Sequence, residues 1–131
     1  MKGYDGYRTA LKQARGLGSA KHGVHHFVMQ RITATALVGL GLYFLWLVVS
    51  LVGADYASAR SMVANTWNAV LISAFLIAMF WHGQLGIQVV IEDYVHTAWL
   101  AVTSQLLVRF ICALAALGSV FAVIRIAVAS A

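Results

Sequence analysis

The chain has 131 residues, of which 62% are hydrophobic and only 10% are charged, and it contains no proline. Nine lysines and arginines against four acidic residues give a formal net charge of +5. This composition is typical of an integral membrane protein, and it argues against a soluble helical bundle, whose helices would each keep a polar stripe.

Residues 1–31 form a basic segment that we predict to be a largely irregular arm. Six lysines and arginines stand here against a single acid, Asp5. No apolar stretch follows directly behind the first charges, so we do not read the arm as a secretory signal and expect it in the mature protein. The arm lacks a helix-turn-helix, zinc-ligand spacing and interleaved aromatic residues, which argues against nucleic-acid binding. The positive-inside rule explains the charge by placing the N-terminus in the cytoplasm.

Three long apolar runs predict three transmembrane helices, at about residues 32–54, 67–91 and 104–128. Each run supplies the ~20 helical residues needed to cross a hydrocarbon core of ~30 Å. With a cytoplasmic N-terminus, the loop of residues 53–66 lies outside and the C-terminus lies on the opposite face. We therefore expect an all-α membrane protein in which residues 1–131 form a single domain.

Cysteine chemistry contributes little to this chain. Cys112 is alone in the third apolar run, so the chain cannot build a disulfide framework, a multi-thiolate metal site or an iron-sulfur cluster. No C-x-x-C-H sequence is present, which excludes covalent c-type haem attachment.

One ionisable side chain, His82, lies deep inside the second apolar run. It precedes Asp93 by 11 residues, which puts it ~16 Å beneath the membrane surface at 1.5 Å per residue. A residue of this kind is costly there unless it has a polar partner, so it marks a candidate functional site. Two roles remain open: a neutral imidazole hydrogen-bonded to a neighbouring helix, or an axial ligand of haem iron. Gly83 and Gly86 would allow a helix or a flat macrocycle to approach closely.

The other histidines do not lie at the depth of His82. They are His22, His25, His26 and His96. His96 is 14 residues farther along, ~21 Å away on a straight helix. If two imidazoles hold a haem at His82, the second must therefore come from another chain, either a different subunit or a second copy. Asp93 lies ~20° from the same helix face, an arrangement that suits a redox centre below a polar substrate site.

The stretch from Gly18 to Ala34 reads GSAKHGVHHFVMQRITA, and Asp93-Tyr94 follows His82 after ten residues. Together with three spans, this pattern resembles the smaller hydrophobic membrane-anchor subunit of bacterial succinate dehydrogenase, respiratory complex II. The likeness extends from about residue 16 through the third helix. It implies a subunit that packs with a larger cytochrome b anchor subunit into one helical bundle and docks the flavoprotein and iron-sulfur subunits on the cytoplasmic face.

The resemblance also implies roles for individual residues. His82 resembles an axial ligand of haem b, with the larger anchor subunit completing the coordination. Tyr94 resembles the phenol that hydrogen-bonds the quinone headgroup, and Asp93 its acidic neighbour. Arg31 resembles the arginine that faces the haem propionates, and His25 the histidine near them. Arg31 and Tyr94 also fit ordinary anchors at the membrane interface.

Some positions depart from the family pattern, and part of the site lies elsewhere. His26 stands where some relatives have an acid and His96 where some have lysine, so the roles of His22, His26 and His96 stay open. In the family, further quinone ligands come from the larger anchor subunit and the iron-sulfur subunit.

The resulting expectation is a membrane-anchor subunit of succinate:quinone oxidoreductase in the bacterial inner membrane. It would help to bind haem b and ubiquinone without a catalytic residue of its own, because FAD and the iron-sulfur clusters belong to partner subunits. One alternative is the anchor of a quinol:fumarate reductase, which runs the reaction in the other direction. Another is a haem-free structural or transport subunit in which His82 and Asp93 relay protons.

Overall fold

A computed structural model describes residues 23–129, and four helices account for most of this part of the chain. They are α1 (Gly23–Ser50), α2 (Tyr56–Ala64), α3 (Thr66–Tyr94) and α4 (Ala98–Val128). By length and composition, α1, α3 and α4 can each cross a membrane. With 28, 29 and 31 residues, they are about 42 to 47 Å long and extend beyond a ~30 Å hydrocarbon core. The prediction of an all-α, three-span membrane protein is confirmed.

The first span begins nine residues earlier than predicted, at Gly23 rather than residue 32, and it ends at Ser50 rather than residue 54. The prediction of an irregular arm is therefore wrong for residues 23–31, and residues 1–22 lie outside the described part. Hydropathy indicates which residues are apolar enough for the membrane. It does not mark the end of a helix, which can continue into polar residues where no proline interrupts it. The guanidinium of Arg31 lies 5.0 Å from the centre of the Phe27 ring, one turn earlier on the same helix.

The second and third spans are also longer than their apolar runs. Helix α3 continues to Tyr94 and α4 begins at Ala98, so the connection between them is residues 95–97. A connection this short makes consecutive helices antiparallel neighbours. We call the end of the bundle that carries this connection and the start of α1 the proximal end, and the other the distal end.

Helix α2 lies in the distal loop and was not predicted from the sequence. Gly53 adopts a positive φ of 81°, a conformation that glycine reaches without steric cost and that turns the chain after α1. Asp55 then caps α2 by accepting a hydrogen bond of 3.0 Å from the backbone N–H of Ser58. Hydrogen bonding to Ser58 holds the pKa of the Asp55 carboxyl below its ordinary value of 3.8.

A polar cluster joins α1, α2 and α3 at the distal end. Asn65 ends α2 and caps α3, accepting hydrogen bonds from the backbone N–H groups of Trp67 and Asn68. The Tyr43 hydroxyl on α1 donates to Asn68 Oδ1, and Asn68 Nδ2 donates to the Met62 carbonyl at 2.7 Å. These bonds position the distal halves of the helices relative to one another.

Helix α3 lies in the middle of the bundle, packed against both α1 and α4. A small buried cluster lies in the distal half, built around Leu47, Ile72 and Val123, and Leu85 and Ile91 are buried nearer the proximal end. Phe44 and Phe75 stack next to the distal cluster with ring centres 4.6 Å apart. Most other large apolar side chains point outward, as expected for helices whose solvent is lipid or a partner subunit.

Candidate functional site

His82 lies on the central helix, 12 residues before the end of α3 at Tyr94 and 16 after its start at Thr66. At 1.5 Å per residue it is about 18 Å from the proximal end of the helix and about 24 Å from the distal end. Its side chain is half-buried. The structure therefore places this imidazole well inside the hydrophobic layer that α3 can cross.

Among the described residues, the polar partner of His82 is Thr33 on α1. Oγ1 of Thr33 lies 3.0 Å from Nδ1 of His82, and only 9% of the threonine surface is exposed. The same oxygen lies 2.8 Å from the Met29 carbonyl oxygen and 3.2 Å from that of Gln30. This is the hydrogen bond to a neighbouring helix that the sequence left open as an alternative, and it engages only one of the two ring nitrogens.

The other ring nitrogen, Nε2, makes no hydrogen bond within residues 23–129, and these residues do not bury it completely. The neighbouring glycines leave the helix surface open, because a Cβ added at Gly83 or Gly86 would meet no atom within 4 Å. The described residues hold no group of three or more His, Cys, Asp or Glu side chains that could bind a metal ion. The described residues thus supply one imidazole with a free nitrogen beside an open helix flank, which fits one ligand to a haem iron.

The predicted quinone-site residues lie at the proximal end of α3. Tyr94 is 78% exposed, and Asp93 is also exposed. The Tyr94 backbone carbonyl lies 3.0 Å from Nδ1 of His96, whereas no hydrogen bond in the described part of the chain uses the Tyr94 hydroxyl. The described part of the chain therefore presents a phenol and a carboxyl group at its surface without enclosing a binding site around them.

A second acidic side chain, next to this pair, has a structural role. Oε1 of Glu92 accepts a hydrogen bond of 2.8 Å from Gln88, one turn earlier on α3, and one of 3.5 Å from Gln105 on α4. Glu92 thus connects the two helices where they meet at the proximal end. The contact with Gln105, which lies 13 residues farther along the chain on another helix, was not predicted from the sequence.

The predicted propionate contacts, Arg31 and His25, lie on the proximal part of α1, and both are exposed. Arg31 precedes Thr33 by two residues, so it projects about 200° around the helix from the side that contacts α3. The structure therefore brings Thr33, and not Arg31, to His82.

Two further polar atoms lie on the α3 side of α1. Nε2 of His26 and Oε1 of Gln30 are buried without a hydrogen-bond partner in the described residues. They precede Thr33 by seven and three residues, which puts all three within about 60° of one another around the helix. His26, whose role the sequence left open, is thus part of a polar line that leads towards Thr33, whereas His22 lies outside the described residues.

Sequence comparison identifies the family to which this arrangement belongs. The sequence model of the succinate dehydrogenase/fumarate reductase transmembrane subunit family matches residues 5–123. The succinate dehydrogenase hydrophobic membrane anchor subunit of Rickettsia bellii is 36% identical over 92 residues, 70% of this chain and 73% of the relative. The succinate dehydrogenase membrane anchor subunit of Reclinomonas americana is 32% identical over 94 residues, 70% of this chain and 78% of the relative. The hydrophobic membrane anchor subunit of Paracoccus denitrificans is 30% identical over 88 residues, 67% of this chain and 68% of the relative. The resemblance read from the sequence is confirmed, and the chain belongs to the family of succinate dehydrogenase/fumarate reductase transmembrane subunits.

Proposed function

We propose that this protein anchors succinate:quinone oxidoreductase to the bacterial inner membrane and helps to bind haem b and ubiquinone. Family membership and three membrane-length helices support the anchoring role. The partners would be a larger cytochrome b anchor subunit, an iron-sulfur subunit and a flavoprotein subunit. Succinate oxidation belongs to the partners that carry FAD and the iron-sulfur clusters, so this chain is an enzyme subunit without dehydrogenase chemistry of its own.

The single observation that supports the haem role is the hydrogen bonding of the two ring nitrogens of His82. Its Nδ1 is occupied by Thr33 while Nε2 has no partner in the described chain, and an unpartnered ring nitrogen is costly in a medium without water. A haem iron would satisfy Nε2, with a second imidazole supplied by the partner anchor. When bound, the group would supply a one-electron redox centre. Arg31 and His25 remain proposed propionate contacts on the basis of charge and exposure rather than proximity to His82.

The quinone role rests on Tyr94 and Asp93. A phenol at the end of a membrane helix can donate a hydrogen bond to a quinone carbonyl while its ring stays in the apolar layer. Asp93 adds an acidic group beside it that remains open to water. Since Tyr94 is exposed in this chain alone, partner subunits would enclose the headgroup.

We further propose that the proximal end faces the cytoplasm and that the C-terminus lies on the opposite side. The described basic residues do not decide the orientation, because Arg31 and Arg109 lie towards the proximal end and Arg60 and Arg125 towards the distal end. The support comes from the sequence of residues 1–22, in which five basic residues outnumber a single acid, Asp5. The basic residues are Lys2, Arg8, Lys12, Arg15 and Lys21.

Two other functions compete with this proposal. The family description includes fumarate reductase, so an anchor for quinol:fumarate reduction has the same support from membership. A haem-free structural or proton-relay subunit is favoured by one specific observation, namely that Thr33 already gives His82 a polar partner.

The experiment that separates these functions is a reduced-minus-oxidised optical spectrum of the purified complex, in wild type and in His82→Leu. The proposal predicts a b-type spectrum of low-spin, bis-histidine haem in wild type and its loss or conversion in His82→Leu. Total haem content is a poorer readout, because the partner's histidine can still retain the group weakly. An unchanged bis-histidine spectrum in His82→Leu would defeat the haem role, and the complete absence of haem from wild type would favour the haem-free alternative. Identification of the co-purifying chains tests the partner subunits in the same preparation.

A further inference from the structure

The direction of the hydrogen bond between Thr33 and His82 follows from the other contacts of the threonine. A hydroxyl has one proton to donate and two lone pairs to accept with. Oγ1 of Thr33 lies 2.8 Å from the Met29 carbonyl oxygen and 3.2 Å from that of Gln30. Carbonyl oxygens only accept hydrogen bonds, so the hydroxyl of Thr33 donates its one proton to these carbonyl oxygens. The oxygen therefore accepts from His82, and Nδ1 carries the donated proton across the 3.0 Å contact.

This direction decides which nitrogen of His82 is free to bind iron. In a neutral imidazole, one ring nitrogen carries the proton and the other carries the lone pair. With the proton on Nδ1, the lone pair lies on Nε2, the nitrogen that makes no hydrogen bond within the described residues. The threonine thus selects the tautomer that can coordinate a metal through Nε2.

We propose that Thr33 is a positioning residue for the haem ligand: its hydroxyl fixes the tautomer and the ring orientation of His82 and raises the basicity of Nε2. This inference rests on the proposed haem function. Outer hydrogen-bond partners of ligating histidines commonly act in this way. Thr33 suits the role because its side chain is 9% exposed, because β-branching restricts its χ1 angle, and because Oγ1 is held by the preceding turn of α1.

The proposal predicts a change in the redox properties of the haem as well as in its retention. A hydrogen bond accepted from Nδ1–H increases the electron density that the imidazole gives to iron, which stabilises the ferric form more than the ferrous form. Removing the acceptor should therefore raise the midpoint potential of the haem. It should also loosen the ring, and partners of this kind typically contribute about tenfold or more to metal affinity.

The test uses the intact complex and three substitutions in α1. Thr33→Val keeps the shape of the side chain and removes the hydroxyl, whereas Thr33→Ser keeps the hydroxyl. Thr35→Val is the matched control. The exposed Thr35 hydroxyl donates to the Arg31 carbonyl at 2.9 Å, so this substitution removes the same kind of bond within the helix without touching His82. We measure the midpoint potential by optical titration and the low-spin signal by electron paramagnetic resonance.

We expect a raised potential and shifted g-values in Thr33→Val, with values near wild type in Thr33→Ser and Thr35→Val. A wild-type potential and spectrum in Thr33→Val would overturn the proposal. Equal shifts in Thr33→Val and Thr33→Ser would also overturn it, because they would trace the effect to packing instead of the hydroxyl. If Thr33→Val does not assemble, the smaller Thr33→Ala is compared with Thr33→Ser by the same criteria.

His82→Leu, measured in the same series, separates this inference from the function on which it rests. If His82→Leu loses the bis-histidine signal while Thr33→Val keeps wild-type properties, only the role of Thr33 is wrong. If His82→Leu keeps the bis-histidine signal, the ligand assignment fails and the role of Thr33 fails with it.

Discussion

Tyr94→Phe removes the phenolic hydroxyl proposed to bind the quinone and leaves the ring in place. The Tyr94 hydroxyl makes no hydrogen bond in the described part of the chain, so its loss should not break a contact that holds α3. A neutral hydrogen bond contributes a net ~0.5 to 1.5 kcal/mol, which corresponds to a loss of roughly 2-fold to 13-fold in kcat/KM for quinone at RT ≈ 0.59 kcal/mol. Enclosure of the headgroup by partner subunits would place the loss near the upper value.

The assay compares two electron acceptors in the same preparation. Succinate-dependent reduction of ubiquinone should fall by this factor. Succinate-dependent reduction of a soluble artificial acceptor should stay near wild type, because under the proposed function it needs only the flavoprotein and iron-sulfur subunits. Tyr56→Phe is a matched control, since Tyr56 is 79% exposed and lies at the distal end of the bundle. Unchanged quinone reduction in Tyr94→Phe would remove this phenol from the site, and equal losses with both acceptors would point to defective assembly.

Two predictions address the bundle itself. Reporter fusions should place the N-terminus in the cytoplasm and the C-terminus across the membrane, and termini on the same side would contradict the three-span arrangement. In a double-mutant cycle of Tyr43→Phe and Asn68→Ala, the hydrogen bond between these side chains should give a coupling of about 0.6 kcal/mol and at most about 1.7 kcal/mol, the range found for hydrogen bonds in membrane proteins. Unfolding of the complex in mixed micelles measures this coupling, and strictly additive effects would show that the contact stabilises nothing.

Helix bounds show where local sequence information was incomplete. Hydropathy located all three spans, because a run of about 20 apolar residues forms few stable structures other than a membrane helix. It missed the start of α1 at Gly23 and the start of α4 at Ala98, since each helix extends beyond the run of residues from which its span was predicted. It also missed α2, although Asp55 stands at its start as a typical N-cap residue.

The sequence by itself determined the membrane environment, the number of spans and the exceptional position of His82, because each follows from the chemistry of residues read in chain order. It also contained the family pattern that links His82 to Asp93 and Tyr94.

Only the tertiary structure decided what contacts His82 within the chain. Thr33 precedes it by 49 residues, and both Arg31 and Thr33 stand in the same short polar stretch near the start of the first span. The packing of α1 against α3 turns Thr33 towards the imidazole and Arg31 away from it, because residues two apart on a helix project about 200° from each other. The contacts between α1 and α3 include the buried cluster of Leu47 with Ile72 and the stacked pair Phe44 and Phe75, so residues far from Thr33 in the chain help to decide which side of α1 faces α3.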